Sequence, residues 1–250
     1  MLPDLDALRL AALRTIPDRP SAETLFDIEG GTIAIGRHLD GSRAALEVFG
    51  PDGVVCATVT GLPGYGLDAL LDTLWAAEAA TGLVESWVID LGDSLGSGRT
   101  SSRPLERRAG TVAEADSLVT AARELVLTRV HGGLARTRYE DYRPTADQKL
   151  VTLTAVGLAD LPAETGHLQR ELETIVRWAA FGGLHLRAVD RPGRRVPGAL
   201  GRSLANGARI ELLADGPGAD GERAPAGTGL LTAPYAEQAE LFRVWSPPAP

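Results

Sequence analysis

The segment that most limits what this chain can become is Gly61-Leu62-Pro63-Gly64-Tyr65-Gly66-Leu67-Asp68. It is a glycine turn set between an apolar run, Val54-Val55-Cys56-Ala57-Thr58-Val59, and a helical stretch, Asp68-Ala69-Leu70-Leu71-Asp72-Thr73-Leu74-Trp75. Buried strand, glycine turn and helix in that order form the setting of a phosphate-binding loop. In such a loop the backbone amides and the helix N-terminus cradle phosphates, a lysine ammonium neutralises them, and a hydroxyl helps to hold magnesium. Here Leu67 and Asp68 stand where the lysine and the hydroxyl belong. A carboxylate about 4 Å from a phosphate charge is repelled by roughly 4 kcal/mol at an effective dielectric near 20. Lys149 is the only lysine in the chain, so no other lysine can compensate, although an arginine supplied in trans can. Taken alone, the turn is equally accounted for as an ordinary strand-to-helix connection, because an Asp in a first helical turn stabilises the helix with or without a nucleotide.

A chain of 250 residues, 44% of them hydrophobic, is large enough to bury a proper core. Its net charge of −8 disfavours free-standing binding to a nucleic-acid backbone, while leaving room for local arginine clusters. The single cysteine, Cys56, has no partner for an internal disulfide and reads as a small apolar residue of the strand before the turn. The N-terminal Met1-Leu2-Pro3-Asp4-Leu5-Asp6 is acidic and lacks the basic region of a secretory signal, and no apolar stretch is long enough for a membrane helix. The expected location is the cytoplasm, with any membrane association made through a partner.

Periodicity organises the rest. Residues 4–15 read as a short amphipathic helix with Leu5, Leu8 and Ala12 on one face, stopped by Pro17 and Pro20, which sets off residues 1–20 as an N-terminal arm. Residues 21–250 read as one domain that begins with a β-hairpin (21–50): Thr32-Ile33-Ala34-Ile35-Gly36 and Ala44-Ala45-Leu46-Glu47-Val48 flank the turn signal Asp40-Gly41. Beyond the glycine turn, Ser86 to Asp90 reads as a strand, Leu91 to Gly110 as surface loop, and Thr111 as the cap of a helix reaching His131. A strand over residues 150–156, a helix over 164–181 and a strand over 184–189 follow. Residues 209–213 and 229–232 read as later strands, and 241–245 as an edge strand. Alternating strands and helices predict an α/β fold with a mainly parallel sheet flanked by helices.

Short segments then match one family in order. Ile35-Gly36 with Asp40-Gly41, the turn at 61–68, Trp87-Val88-Ile89-Asp90, Leu158-Ala159-Asp160-Leu161, Gly183-Leu184-His185-Leu186, Arg191-Pro192 and Arg209-Ile210 together make the chain resemble the motor domain of FtsK/SpoIIIE-type DNA-pumping ATPases. That group takes in the TraB-like transfer proteins of conjugation and the ATPase modules of type VII secretion, within the HerA/FtsK superfamily. The resemblance runs from about Ile33 to Trp245 and implies a RecA-like P-loop NTPase fold.

The departures from the family pattern fall on its chemistry. The family's Asp-Glu pair for magnesium and water activation is matched here by Val156 and Gly157. Its Ala-Thr-Gln-Arg-Pro segment, whose Gln senses the terminal phosphate, reads Ala188-Val189-Asp190-Arg191-Pro192. The Gly-Arg that faces a neighbour's nucleotide reads Ala179-Ala180, and the Asp-Pro-Lys after the Trp87 strand reads Asp90-Leu91-Gly92. Phosphoryl transfer depends on positioning and charge stabilisation, with one transition-state arginine worth about a thousandfold or more, so these losses together predict no hydrolytic site. Gly61, Gly64, Gly66, Leu67, Asp68, Val156, Gly157 and Asp190 are the expected vestige of a nucleotide site. No catalytic residue, metal ligand or cofactor is expected, and ATP with magnesium enters only if the degenerate site still functions.

Other residues carry less. His38, His131, His167 and His185 are scattered without metal-ligand spacing, and His185 reads as a packed or hydrogen-bonded histidine. Gly92-Asp93-Ser94-Leu95-Gly96 has the letters of a nucleophile elbow but no helical periodicity after it. Arg191, Arg194, Arg195 and Arg202 form a basic loop that can grip phosphates or carboxylates, or simply be solvated, and Arg99, Arg103, Arg107 and Arg108 form a second such group. Trp178 and Phe181 are candidate partner anchors on the helix before Gly183, with burial in the core as the alternative.

The resemblance and its departures together predict a catalytically inactive relative, a structural or regulatory subunit of a DNA-translocation or secretion motor. Its partner would be a protein such as an active FtsK-like motor, in a homo- or hetero-oligomer, with weak or indirect DNA contact and no membrane insertion. Two other readings stay open: a peptide-binding module of the type VII secretion kind, and a divergent but active ATP-driven DNA translocase.

Overall fold

The computed structural model describes residues 18–93, 95, 105–132, 143–161, 165–213 and 225–245. The arm helix predicted over 4–15 lies outside the described residues, as do Arg99, Arg103 and Ser94. Among the described residues thirteen strands form, β1 (Phe26–Asp27), β2 (Thr32–His38), β3 (Arg43–Glu47), β4 (Phe49–Gly50), β5 (Gly53–Val54), β6 (Ala57–Thr60), β7 (Val84–Asp90), β8 (Arg107–Ala109), β9 (Leu150–Val156), β10 (Leu184–Asp190), β11 (Ala208–Leu212), β12 (Thr228–Thr232) and β13 (Glu240–Val244). The α-helices among the described residues are α1 (Leu67–Thr81), α2 (Val112–His131), α3 (Gly166–Gly182) and α4 (Gly198–Ala205).

One sheet carries the fold, in the order β1-β2-β13-β12-β11-β6-β10-β9-β7-β8, with β3 paired to β2. The run from β11 to β8 is parallel throughout. The run from β12 back to β1 and β3 is antiparallel. β9 and β10 are buried along their whole length, as central parallel strands covered on both faces must be. Their side chains alternate between two apolar layers: Leu150, Val156 and Val189 join α1, while Leu153, Ala155, Leu186 and Ala188 join α2, α3 and α4. The α/β fold with a parallel core is therefore as predicted.

Four local expectations are corrected. The apolar run before the glycine turn is two pieces, because Gly53–Val54 turns back on Phe49–Gly50 and the core strand begins at Ala57. Leu91 to Gly110 is not all surface: Arg107–Ala109 adds a parallel strand beside β7, and Leu95 and Ala109 are buried. The basic loop ends at Pro197, and Arg202 stands on α4. β13 is internal, held between β12 and β2 with Trp245 Nε1 donating to Ala34 O at 3.1 Å, so it is no edge strand. That pairing joins segments about two hundred residues apart, which local pattern does not signal.

α2 begins as its sequence says it should. The Thr111 hydroxyl accepts from the Glu114 amide while the Glu114 carboxylate accepts from the Thr111 amide, a reciprocal capping box. α1 is fixed differently, from its buried side. Glu78 accepts from Ser86 Oγ at 2.6 Å and Thr152 Oγ1 at 2.9 Å and pairs with Arg187 at 2.5 Å, and Arg187 also donates to Thr154 Oγ1 at 3.2 Å. One α1 side chain is thus tied to three neighbouring strands.

Candidate functional site

Parallel register brings the C-terminal ends of four strands level. Thr60 on β6 pairs with Asp190 on β10, Val189 with Val156 on β9, and Val156 in turn with Asp90 on β7. The connections leaving those ends enclose a cavity of about 500 Å³. Crevices at the carboxyl edge of a parallel sheet are where ligands of such folds bind. Gly61, Leu67, Val156, Gly157 and Asp190, spread over 130 residues of chain, all line this cavity. Pro63, Leu91, Leu95, Val112, Leu161 and Val189 make most of the remaining wall apolar.

The glycine turn has a built conformation. Gly64 and Gly66 take φ of +83° and +100°, values that an L side chain rarely adopts. A Cβ on Gly66 would meet Gly227 Cα at 2.5 Å, a backbone-to-backbone approach that leaves no room. Gly227 N donates to Tyr65 O at 2.9 Å, and Arg243, largely buried, donates to Pro225 O at 2.8 Å and Thr228 Oγ1 at 3.1 Å on either side of that contact. The segment before β12 therefore buttresses the turn. Sequence reasoning missed both Gly227 and Arg243. The Pro-Ala-Gly at 225–227 was the available signal for a turn, but nothing local says what that turn touches.

Asp68, in the first turn of α1, reaches back so that its Oδ2 accepts from the Gly64 amide at 3.3 Å. An anion from the chain itself engages an amide of the glycine turn, at the helix end where the backbone partial charge favours negative groups.

Asp190 ends β10 at 8% exposure, and its Oδ1 accepts from the Ala159 amide at 3.0 Å. Among the described residues its other oxygen has no hydrogen-bond partner. Burial pushes the Asp190 carboxyl above the usual carboxylate range, the Ala159 amide pulls it back, and the nearby Asp160 charge adds to the rise. Val156 is buried and Gly157 follows it with φ of +73°, so the strand end beside Asp190 carries no side-chain oxygen. Among the described residues no group of three or more His, Cys, Asp or Glu is placed to hold a metal ion.

Arg191, Arg194, Arg195 and Arg202 are exposed. Arg191 lines the cavity, and Arg194 pairs with Asp160 at 3.2 Å across its rim. Trp178 is 43% exposed and tilts against the half-buried Phe181, with ring centroids 6.3 Å apart, so Trp178 is not a core residue. These aromatics sit at the C-terminal end of α3, which passes through Gly183 directly into the start of β10. They therefore lie at the opposite sheet edge from the cavity and the arginine loop, and the two groups do not form one patch. His185 is wholly buried with Nδ1 2.6 Å from Val55 O, a packed and hydrogen-bonded histidine as expected.

No protein-family model matches the chain, and no curated protein does. Solved structures do. ATPases 2 and 3 of EccC from Thermomonospora curvata, in complex with a signal sequence peptide, superpose with a TM-score of 0.67 at 17% identity, over 94% of this chain and 44% of theirs. The pCW3 conjugation coupling protein TcpA, in its monomer form with ATPgS, gives 0.67 at 14% identity, over 93% of this chain and 70% of that one. ATPases 2 and 3 of EssC from Geobacillus thermodenitrificans give 0.63 at 14% identity, over 94% and 47%. At such identities the likeness is one of fold: the chain shares the α/β fold of these ATPase domains, and it spans less than half of the EccC and EssC chains it matches.

Proposed function

We propose that this chain is a pseudo-ATPase domain that keeps the FtsK/SpoIIIE-type framework as a structural or regulatory module of a secretion or DNA-translocation motor, without hydrolysing ATP itself. The observation that carries the reading is the Gly64 amide donating to the Asp68 carboxylate at 3.3 Å. A phosphate would have to displace that carboxylate and would meet its repulsion, while Leu67 supplies no cation. The fit fails at the other positions too. Val156 and Gly157 offer no oxygen for magnesium or for activating water, and Asp190 presents a carboxyl where a phosphate sensor would offer an amide donor. An apolar wall around the cavity solvates triphosphate charge poorly. An inactive module of this kind keeps its subunit-packing surfaces while its active neighbours supply the chemistry.

A second reading, a peptide-binding module, is favoured by one observation, the largely apolar cavity at the sheet edge. A structural neighbour, the EccC fragment, is itself described in complex with a signal sequence peptide.

The test is nucleotide titration and steady-state hydrolysis on purified protein. Wild type should bind no MgATP and hydrolyse none above a control in which residues 61–68 are scrambled. Leu67→Lys combined with Asp68→Ser should recover weak binding without turnover, since residues 156 and 157 still lack carboxylates. Magnesium-dependent hydrolysis by the wild type that Gly66→Trp abolishes would overturn the reading.

A further inference from the structure

An apolar cavity of about 500 Å³ with one buried carboxyl on its wall has a definite chemical preference. Apolar walls reward an aliphatic body, because moving methylenes out of water into an apolar enclosure is favourable. The second oxygen of Asp190, with no hydrogen-bond partner among the described residues, rewards a donor placed at one point, because a charge-assisted hydrogen bond is stronger than a neutral one. Of the other charged groups at the cavity, Asp160 is already engaged by Arg194, and Arg191 is exposed and screened by solvent. The field at the inner wall is thus set by Asp190.

We propose that this cavity binds a protonated amine on an aliphatic chain, with the ammonium donating to Asp190 and the methylenes lying against Leu67, Val156, Leu161 and Val189. The proposal rests on the reading that the site has ceased to take a nucleotide, and it names what replaces that ligand. Two sources share this chemistry, a lysine side chain presented by a peptide and a free alkylamine.

The experiment titrates isotopically labelled full-length protein with n-hexylamine, n-hexanol and hexanoate at neutral pH, following the Ala159 and Gly61 backbone amides by NMR. The Ala159 amide donates to Asp190 and reports on its carboxyl directly. Hexylamine should bind, and hexanol about tenfold or more weakly, the size expected of one charge-assisted hydrogen bond. Asp190→Asn, which retains an oxygen for the Ala159 amide, should lose that advantage. Val112→Phe, a change at a position 41% exposed on the cavity wall, should block entry without disturbing the fold. Equal binding of hexanol, preference for hexanoate, or unchanged hexylamine affinity in either folded variant overturns the proposal. Acetyl-Leu-Lys-Leu-amide binding more tightly than hexylamine assigns the amine to a peptide, and the reverse order assigns it to a free amine. A parallel MgATP titration followed at Gly64 and Gly66 tests the pseudo-ATPase reading separately, since nucleotide binding there would sink that reading whatever the amine does.

Discussion

His185 shows how one side chain sets a pH dependence for the whole domain. It is wholly buried on β10, and burial first, then the Arg187 charge, hold its pKa down to about 3 against 6.5 for an exposed imidazole. The native state therefore keeps the ring neutral, while the unfolded chain takes up a proton below about pH 6.5. Because the folded pKa is the lower one, the unfolded state binds more protons between the two values, and stability falls as pH drops through that window. From pH 7 to pH 5 this one group should cost about 2 kcal/mol. His185→Asn retains a donor for Val55 O, so its urea midpoint should decline less steeply between pH 7 and pH 5 than that of wild type. Parallel declines in the two proteins would refute the assignment.

At the scale of elements, the glycine turn is held from below. α1 carries Glu78 on its buried face, and the ion pair with Arg187, completed by Ser86, Thr152 and Thr154, ties the helix to β7, β9 and β10. Both charged groups are 0% exposed. Removing one partner of such a pair leaves the other charge buried and uncompensated, which costs about 3–5 kcal/mol, whereas replacing both with apolar residues of similar volume is often neutral. Glu78→Ala should therefore lower unfolding stability by roughly that amount. Glu78→Leu with Arg187→Met should recover most of it, as read by chemical denaturation. A double variant as unstable as the single one would show that the network's hydrogen bonds outweigh its charge balance.

For the whole molecule, charge decides what it approaches. A net charge of −8 opposes a polyanion, and the exposed arginines at 191, 194 and 195 are the local exception, with Arg194 already paired to Asp160. Any binding to duplex DNA should be weak and indifferent to sequence. Its logarithmic salt slope should not exceed about −3, since each neutralised phosphate contributes about −0.9. Arg191→Ala, Arg194→Ala and Arg195→Ala together should abolish it in fluorescence anisotropy titrations, and tight binding that survives 0.3 M salt, about twice the physiological ionic strength, would contradict this picture. No helix among the described residues is long and apolar enough to cross a membrane. The exposed Trp178 beside Phe181 lies at the sheet edge opposite the cavity.

Local signals settled what local physics controls. The β-branched and apolar run Leu150–Val156 marked β9, Thr111 with Glu114 announced a capped helix, and Asp40-Gly41 announced the hairpin of β2 and β3, because each depends on interactions within a few residues. Alternating strands and helices were enough to expect the parallel core, and the family resemblance singled out residues 61, 64, 66, 67, 68, 156, 157 and 190, of which 61, 67, 156, 157 and 190 line one cavity. Tertiary structure alone decided the rest. Whether Gly227 backs the turn, which face of α1 receives Arg187, and whether Leu241 to Trp245 lies inside the sheet all depend on contacts between segments far apart in the chain. A residue's sequence neighbours carry the free energy of turns, caps and alternation, but burial and strand pairing are set by whichever distant segment completes the layer, and that partner has no local signature.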